Sequence, residues 1–224
     1  MDVKKFEEDL KLLISRLGAH PNLIRVKDKL IELRVRGLVK SNHSVLEVLV
    51  ADYLFSKGFE VTVEHKLTND LVCDVYADSS EGDLIVEVET GFVPPHYSLE
   101  PRTYNLARVI SKVARYSRFS KYFGLAVPSF LLLQLHPYLI KPPRERELSE
   151  ALELKAICDK YYTNPPVTLK EISSAKVDVI YVLDVDELSV EELTPLEYYR
   201  MYIAPISRNN GWSFRARRRS PGPT

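Results

Sequence analysis

Three stretches of the chain place acids where apolar neighbours would bury them. In DLIVEVETG (83–91), Glu87 and Glu89 stand two apart within a run of Leu, Ile and Val; in LVCDVYA (71–77), Asp74 interrupts an apolar alternation. Alternate side chains of a strand point to opposite faces, so Ile85, Glu87 and Glu89 share one face and Leu84, Val86 and Val88 the other. By the same rule Leu71, Cys73, Val75 and Ala77 form one apolar face, with Asp74 opposite beside Val72 and Tyr76. In VLEVLVADYLFSKG, read as a helix, Glu47 stands among Leu46, Val50, Ala51 and Leu54, while Asp52 and Ser56 fall on the other side. A carboxylate on the buried side needs a partner, because burying an unpaired charge is costly.

Each acid has a plain alternative. The Glu-x-Glu alternation alone fits a solvated strand face, Asp74 fits a polar strand side, and Glu47 could pair with an Arg or Lys of the N-terminal segment. Together they make four acids on two adjacent strands and one helix, and neither strand carries a basic residue. Like charges gathered without a counter-ion repel, and a divalent cation would resolve the repulsion.

The elements that must position these residues follow from periodicity. Apolar residues at helical spacing predict helices over 2–17, ended by Gly18, and over 21–36, ended by Gly37. Together they form a hairpin occupying 1–40. Ser41 and Asn42 suit the cap of a third helix over 43–57, closed by Gly58. The period then changes to two: FEVTVEH (59–65), LVCDVYA (71–77) and LIVEVET (84–90) read as strands joined by tight turns, an antiparallel meander. After the Pro-rich GFVPPHYSLEP come a helix over 102–119 and a fourth strand, YFGLAVPS (122–129). Beyond lie helices over 148–162 and near TLKE (168–171), a strand over 177–185 and a last helix near 195–202. The whole is an α/β domain whose sheet is covered by helices.

Helix with Glu47, strand, strand with Asp74, strand with Glu87-x-Glu89, helix, strand: this order resembles the core of the PD-(D/E)xK (restriction-endonuclease-like) nuclease superfamily. The resemblance covers 41–130 and rests on CDVY, twelve intervening residues, VEVE, and the helix RVISKVARYS. It implies an α-β-β-β-α-β core with a mixed central sheet, 131–207 being an extension of the same domain. It implies Asp74 and Glu87 as ligands of Mg²⁺ or Mn²⁺, joined by the Val88 carbonyl and by Glu89, with Glu47 behind them or on a second metal. The activity implied is metal-dependent hydrolysis of DNA phosphodiesters; the alternative is an inactive member that binds DNA or a partner protein. Many members are dimers that cut two strands, which extends the expectation to a homodimer. Where most members have Lys, this chain has Glu89. Some members carry an acid there and still cut; others move the lysine to the following helix, where Lys112 is the candidate, with Tyr116 one turn later.

Charge distribution points to the same partner. The chain has 31 basic and 31 acidic residues, yet from Arg200 to Thr224 there are six Arg and no acid, which leaves residues 1–199 at a net −6. The end, 208–224, reads as a flexible basic tail, either one in which Arg215, Arg217, Arg218 and Arg219 contact phosphates or one that only keeps the chain in solution. His43, His65, His96 and Tyr97 stand near the motif elements as lesser candidates. No apolar run reaches the length of a membrane span, and the charged N-terminus is no signal peptide. Cys73 and Cys158 lack metal spacing and read as buried free thiols in a reducing, cytoplasmic compartment. One Gln, two Met and two Cys beside many Glu, Lys and Arg match a thermophile's bias.

Overall fold

The computed structural model describes residues 3–39 and 41–206. Helices α1 (Val3–Arg16), α2 (Pro21–Val35) and α3 (Ser41–Ser56) precede the strands β1 (Glu60–Lys66), β2 (Val72–Ser79) and β3 (Gly82–Val88). Helix α4 (Pro101–Tyr116) leads to β4 (Tyr122–Pro128), and α5 (Pro137–Ile140), α6 (Leu148–Cys158) and α7 (Leu169–Ser174) lead to β5 (Val179–Asp184). Strand β6 (Ser189–Leu193) and α8 (Pro195–Tyr198), continued by a π turn over Tyr199–Ile203, complete the described chain. Strand β6 went unread in the sequence because SVEEL has one apolar position inside and alternates weakly. No helix among the described residues is long and apolar enough to cross a membrane.

The six strands form one open mixed sheet in sequence order. Strands β1, β2 and β3 are antiparallel, β3–β4 and β4–β5 are parallel, and β5–β6 is antiparallel. Parallel strands need crossovers, and α4 and the α5–α7 segment supply them on one face, while α1–α3 cover the other. The centre is therefore buried on both faces: Leu84–Val88 and Phe123–Pro128 carry no exposed residue. On one face Leu84, Val86 and Val88 pack with Leu46, Leu49 and Leu54 of α3 and with the α1–α2 hairpin. On the other, Ile85, Phe123 and Leu125 pack with Val109, Ile110 and Val113 of α4 and with α6 and α7.

The second strand departs from simple alternation. Val75 and Ala77 face the α3 layer, but Cys73 packs into the α4 layer. This corrects the single apolar face expected for Cys73, Val75 and Ala77. The break falls at Asp74, opposite which Glu64 of β1 adopts a left-handed backbone (φ 46°), a strained choice for a Glu. Both cysteines are buried and free.

Candidate functional site

The regular pairing of β2 with β3 ends at Val75–Val86. One residue further the two strands bond through carboxylates instead. The Asp74 amide donates to Glu87 Oε1 at 3.2 Å, and the Val88 amide donates to Asp74 Oδ2 at 2.7 Å. Two orphaned backbone donors are thus satisfied by acids, which holds both side chains at the point where the strands part. Glu89, beyond the end of β3, is fixed by its backbone amide, which donates a hydrogen bond to the Ala126 carbonyl at 2.8 Å. Gly91 then turns the chain away with φ 67°, where a Cβ would lie 2.7 Å from Leu131.

Helix α4 aims one side chain into this gap. Lys112 Nζ lies 3.1 Å from Asp74 Oδ2, 3.1 Å from Glu87 Oε2, 3.3 Å from Glu89 Oε1 and 2.8 Å from the Val88 carbonyl. One turn earlier, Arg108 Nε reaches Glu89 Oε2 at 3.2 Å, and its guanidinium also donates to the Phe92 carbonyl. Lys112 and Arg108 are four residues apart and so share a helix face. Sequence reading found Lys112 and missed Arg108, although that spacing was there to be read. The absence of cations in the two strands therefore does not by itself call for a metal, because α4 delivers two.

On the α3 side the balance differs. Glu47 is fully buried, and neither of its carboxylate oxygens has a hydrogen-bond partner among the described residues. The described cations of the helical hairpin do not bond it; Lys29, for example, donates to the Val63 carbonyl of β1. His43, one turn before Glu47, places Nδ1 3.9 Å from Asp74 Oδ1. One ligand atom each from His43, Glu47 and Asp74 lies within 4.8 Å of the others.

The electrostatics follow from burial and from this sharing. Burial opposes the charge on Asp74, but the Lys112 ammonium, His43 and the Val88 amide outweigh it and hold the carboxyl well below the usual range. Burial, then the neighbouring Asp74 charge, pushes Glu87 up to about 8 despite Lys112. Glu47 is raised well above its ordinary value, by burial first and by Asp74 second. Burial would lower Lys112, yet Asp74, Glu89 and Glu87 together raise it well above the normal lysine value. A further acid was not foreseen: Glu64, opposite Asp74, is pushed up to about 7 by burial and by Asp74. Its position in an ordinary alternating strand carried no signal for this; only the break at Asp74 turns it inward.

The remaining candidates divide. Tyr116 lines a cavity beside Lys112. His65 stacks on Tyr76 at 4.5 Å. His96 and Tyr97 lie on the loop after β3, where Tyr97 stacks on Tyr104 of α4 at 4.9 Å. Arg215, Arg217, Arg218 and Arg219 lie outside the described residues. Comparison with family models, with curated proteins and with solved structures found no match.

Proposed function

We propose that the chain is a metal-dependent deoxyribonuclease that hydrolyses phosphodiester bonds on a PD-(D/E)xK-type core. The observation that carries this reading is the meeting of Asp74, Glu87, the Val88 carbonyl and Lys112 where β2 and β3 part. The order from α3 to β4, with the mixed sheet around that point, supports the restriction-endonuclease-like core.

A hard divalent cation, Mg²⁺ or Mn²⁺, fits the donors at Asp74. The two unbonded oxygens of Glu47 and the His43 imidazole lie beside it, a mainly oxygen set with one nitrogen. Asp74, Glu87, Glu89 and the Val88 carbonyl form a second donor set, but there the Lys112 ammonium holds the cation's place and would have to withdraw. When bound, the ion supplies Lewis-acid stabilisation and a more acidic water.

The chain's own residues do the rest. Lys112 presents a fixed positive charge that can meet the negative charge developing on a phosphate. Glu89, held by Arg108, stands where it can accept a proton from an attacking water. Asp74 stays ionised throughout the physiological range and joins the two sides.

One observation favours a second reading. With Lys112 seated among Asp74, Glu87 and Glu89, the charges there are balanced without an ion, as in a nuclease fold that binds DNA or a partner protein but does not cut. Purified protein incubated with labelled single-stranded, duplex and branched DNA, in Mg²⁺, Mn²⁺ or EDTA, separates the two. Cleavage in metal that is lost in EDTA and in Glu87→Ala is the expected result. DNA left intact under every condition, with binding retained, sinks the enzymatic reading and leaves the second.

A further inference from the structure

Beside the carboxylates lies a cavity of about 660 Å³. Its inner wall holds His43 and Lys112, the two groups that reach Asp74 from α3 and α4. Among the described residues, four basic ones line it, Arg108 and Arg115 among them, and no acid does. That is an anion-selecting recess in a chain whose first 199 residues carry a net −6. The Arg115 guanidinium is held by the Pro165 carbonyl at 2.6 Å and lies over the Tyr162 ring at 5.5 Å. It is fixed in place by a carbonyl and a ring rather than by an acid.

The same walls are aromatic. Tyr104, Tyr116 and Tyr162 line the cavity. Tyr104 is braced from behind, stacked on Tyr97 (4.9 Å, 22°) and edge-on to Tyr161 (5.4 Å, 90°). Rings held in position beside fixed cations suit a ligand that is planar and anionic in alternation, as a nucleotide strand is. A base can stack on protein only if one of its faces is uncovered, and in a duplex both faces are covered by neighbouring pairs. The volume also falls in the range of about 300–1,000 Å³ typical of recesses that enclose a compact ligand.

We propose that this cavity seats an unpaired nucleotide of single-stranded DNA, its base against Tyr104 or Tyr162 and its phosphates toward Arg115, Arg108 and Lys112. The polymer's identity rests on the nuclease reading above; the inference adds the strand's state, so that the strand presented to the carboxylates is unpaired.

The test is fluorescence anisotropy in EDTA with the full chain, using a labelled oligothymidylate about ten nucleotides long and a blunt duplex of equal length. The single strand is expected to bind at least about 10-fold tighter. Tyr104→Ala and Tyr162→Ala should each weaken it by about 5-fold or more, while Tyr162→Phe, which keeps the ring, should bind as the parent does. Arg115→Gln should lower the slope of log affinity against log salt by about one. Equal affinity for duplex and single strand overturns the proposal, as does unchanged binding in both alanine variants with thermal unfolding like the parent's. The two readings fail separately. Tight single-strand binding without cleavage in Mg²⁺ or Mn²⁺ removes the nuclease and keeps this site. Metal-dependent cutting inside blunt duplexes, with no preference for unpaired DNA, removes this site and keeps the nuclease.

Discussion

Asp74 faces two environments that contain the same kinds of group and differ in one. Toward α4, three carboxylates and a carbonyl surround the Lys112 ammonium, each within 3.3 Å. Toward α3, the buried Glu47 carboxylate has no hydrogen-bond partner among the described residues, and His43 and Asp74 are its neighbours there. The first side is a cluster whose acids are ion-paired to Lys112 and Arg108, although Glu89 Oε1 makes no hydrogen bond among the described residues. The second is an acid in an apolar layer whose charge only a proton or an added cation could relieve. Burial alone therefore does not mark a metal site; what marks it is which carboxylate the fold leaves unanswered.

The largest effect should come from emptying the answered side. Lys112→Met leaves Asp74, Glu87 and Glu89 gathered without their central cation, and should destabilise the protein by about 3 kcal/mol. That corresponds to a fall of roughly 6–12 °C in Tm. Mn²⁺ should restore more of the variant's Tm than it adds to the parent, since the vacated donors can take the ion. A variant as stable as the parent would remove Lys112 from its central role.

Opposite pH slopes in two regions give the next comparison. Glu87 and Glu64 keep their protons in the folded state up to about 8 and about 7, whereas the unfolded chain releases them near 4.5. Their contribution is full below pH 4.5 and is lost as pH rises through 7 to 8. His136, in the segment before α5, behaves in the reverse sense. Burial lowers its folded value to about 4 from 6.5, so its contribution is full above 6.5 and is lost as pH falls through 4. For Glu87 and for His136 the contribution is on the order of 3 kcal/mol over its window, and solvent screening makes that of the half-buried Glu64 smaller. Urea unfolding across pH 4 to 8 should show Glu87→Gln flattening the first slope alone and His136→Asn the second alone. A Glu87 variant with the parent's slope above pH 5 would contradict the assigned burial effect.

Glu47→Gln sharpens the unanswered side. In EDTA at pH 8 it should raise stability by about 1 kcal/mol or more, because a charge is no longer forced into the α3 layer. In millimolar Mn²⁺ the order should reverse: the parent gains Tm and the variant does not. If both respond equally to the ion, Glu47 is no ligand. The smallest effect belongs to a control far from the carboxylates. Thr168 caps α7 by accepting from the Glu171 amide at 3.2 Å, and Thr168→Ala should cost about 1 kcal/mol with no change in metal response.

Much of this arrangement is legible before folding is considered. The two-residue period of 84–90 places Glu87 and Glu89 on one face, and they do converge. The helical period of α3 puts Glu47 among apolar residues, and it is buried. Helix and strand periods also locate α1 to α4 and the first four strands to within a few residues, since each is a run rich in apolar residues bounded by glycine, proline or turn residues. Strand β6 and the short α5 fall outside that signal. They are held by a neighbour's backbone and by a His–Pro start rather than by a stripe of their own.

The sequence by itself determined that Glu47, Glu87 and Glu89 stand on faces shared with apolar residues, because side-chain direction follows from local backbone period. Tertiary structure alone decided what answers them. Nothing local tells Glu64 that it opposes Asp74, or tells Asp74 that the alternation of its strand breaks beneath it and opens it to both layers. Nor can local period say that Lys112 arrives where α3's own hairpin cations do not. Electrostatic partnership depends on distances between segments far apart in the chain, and those distances exist only once the sheet has brought α3 and α4 to its two faces.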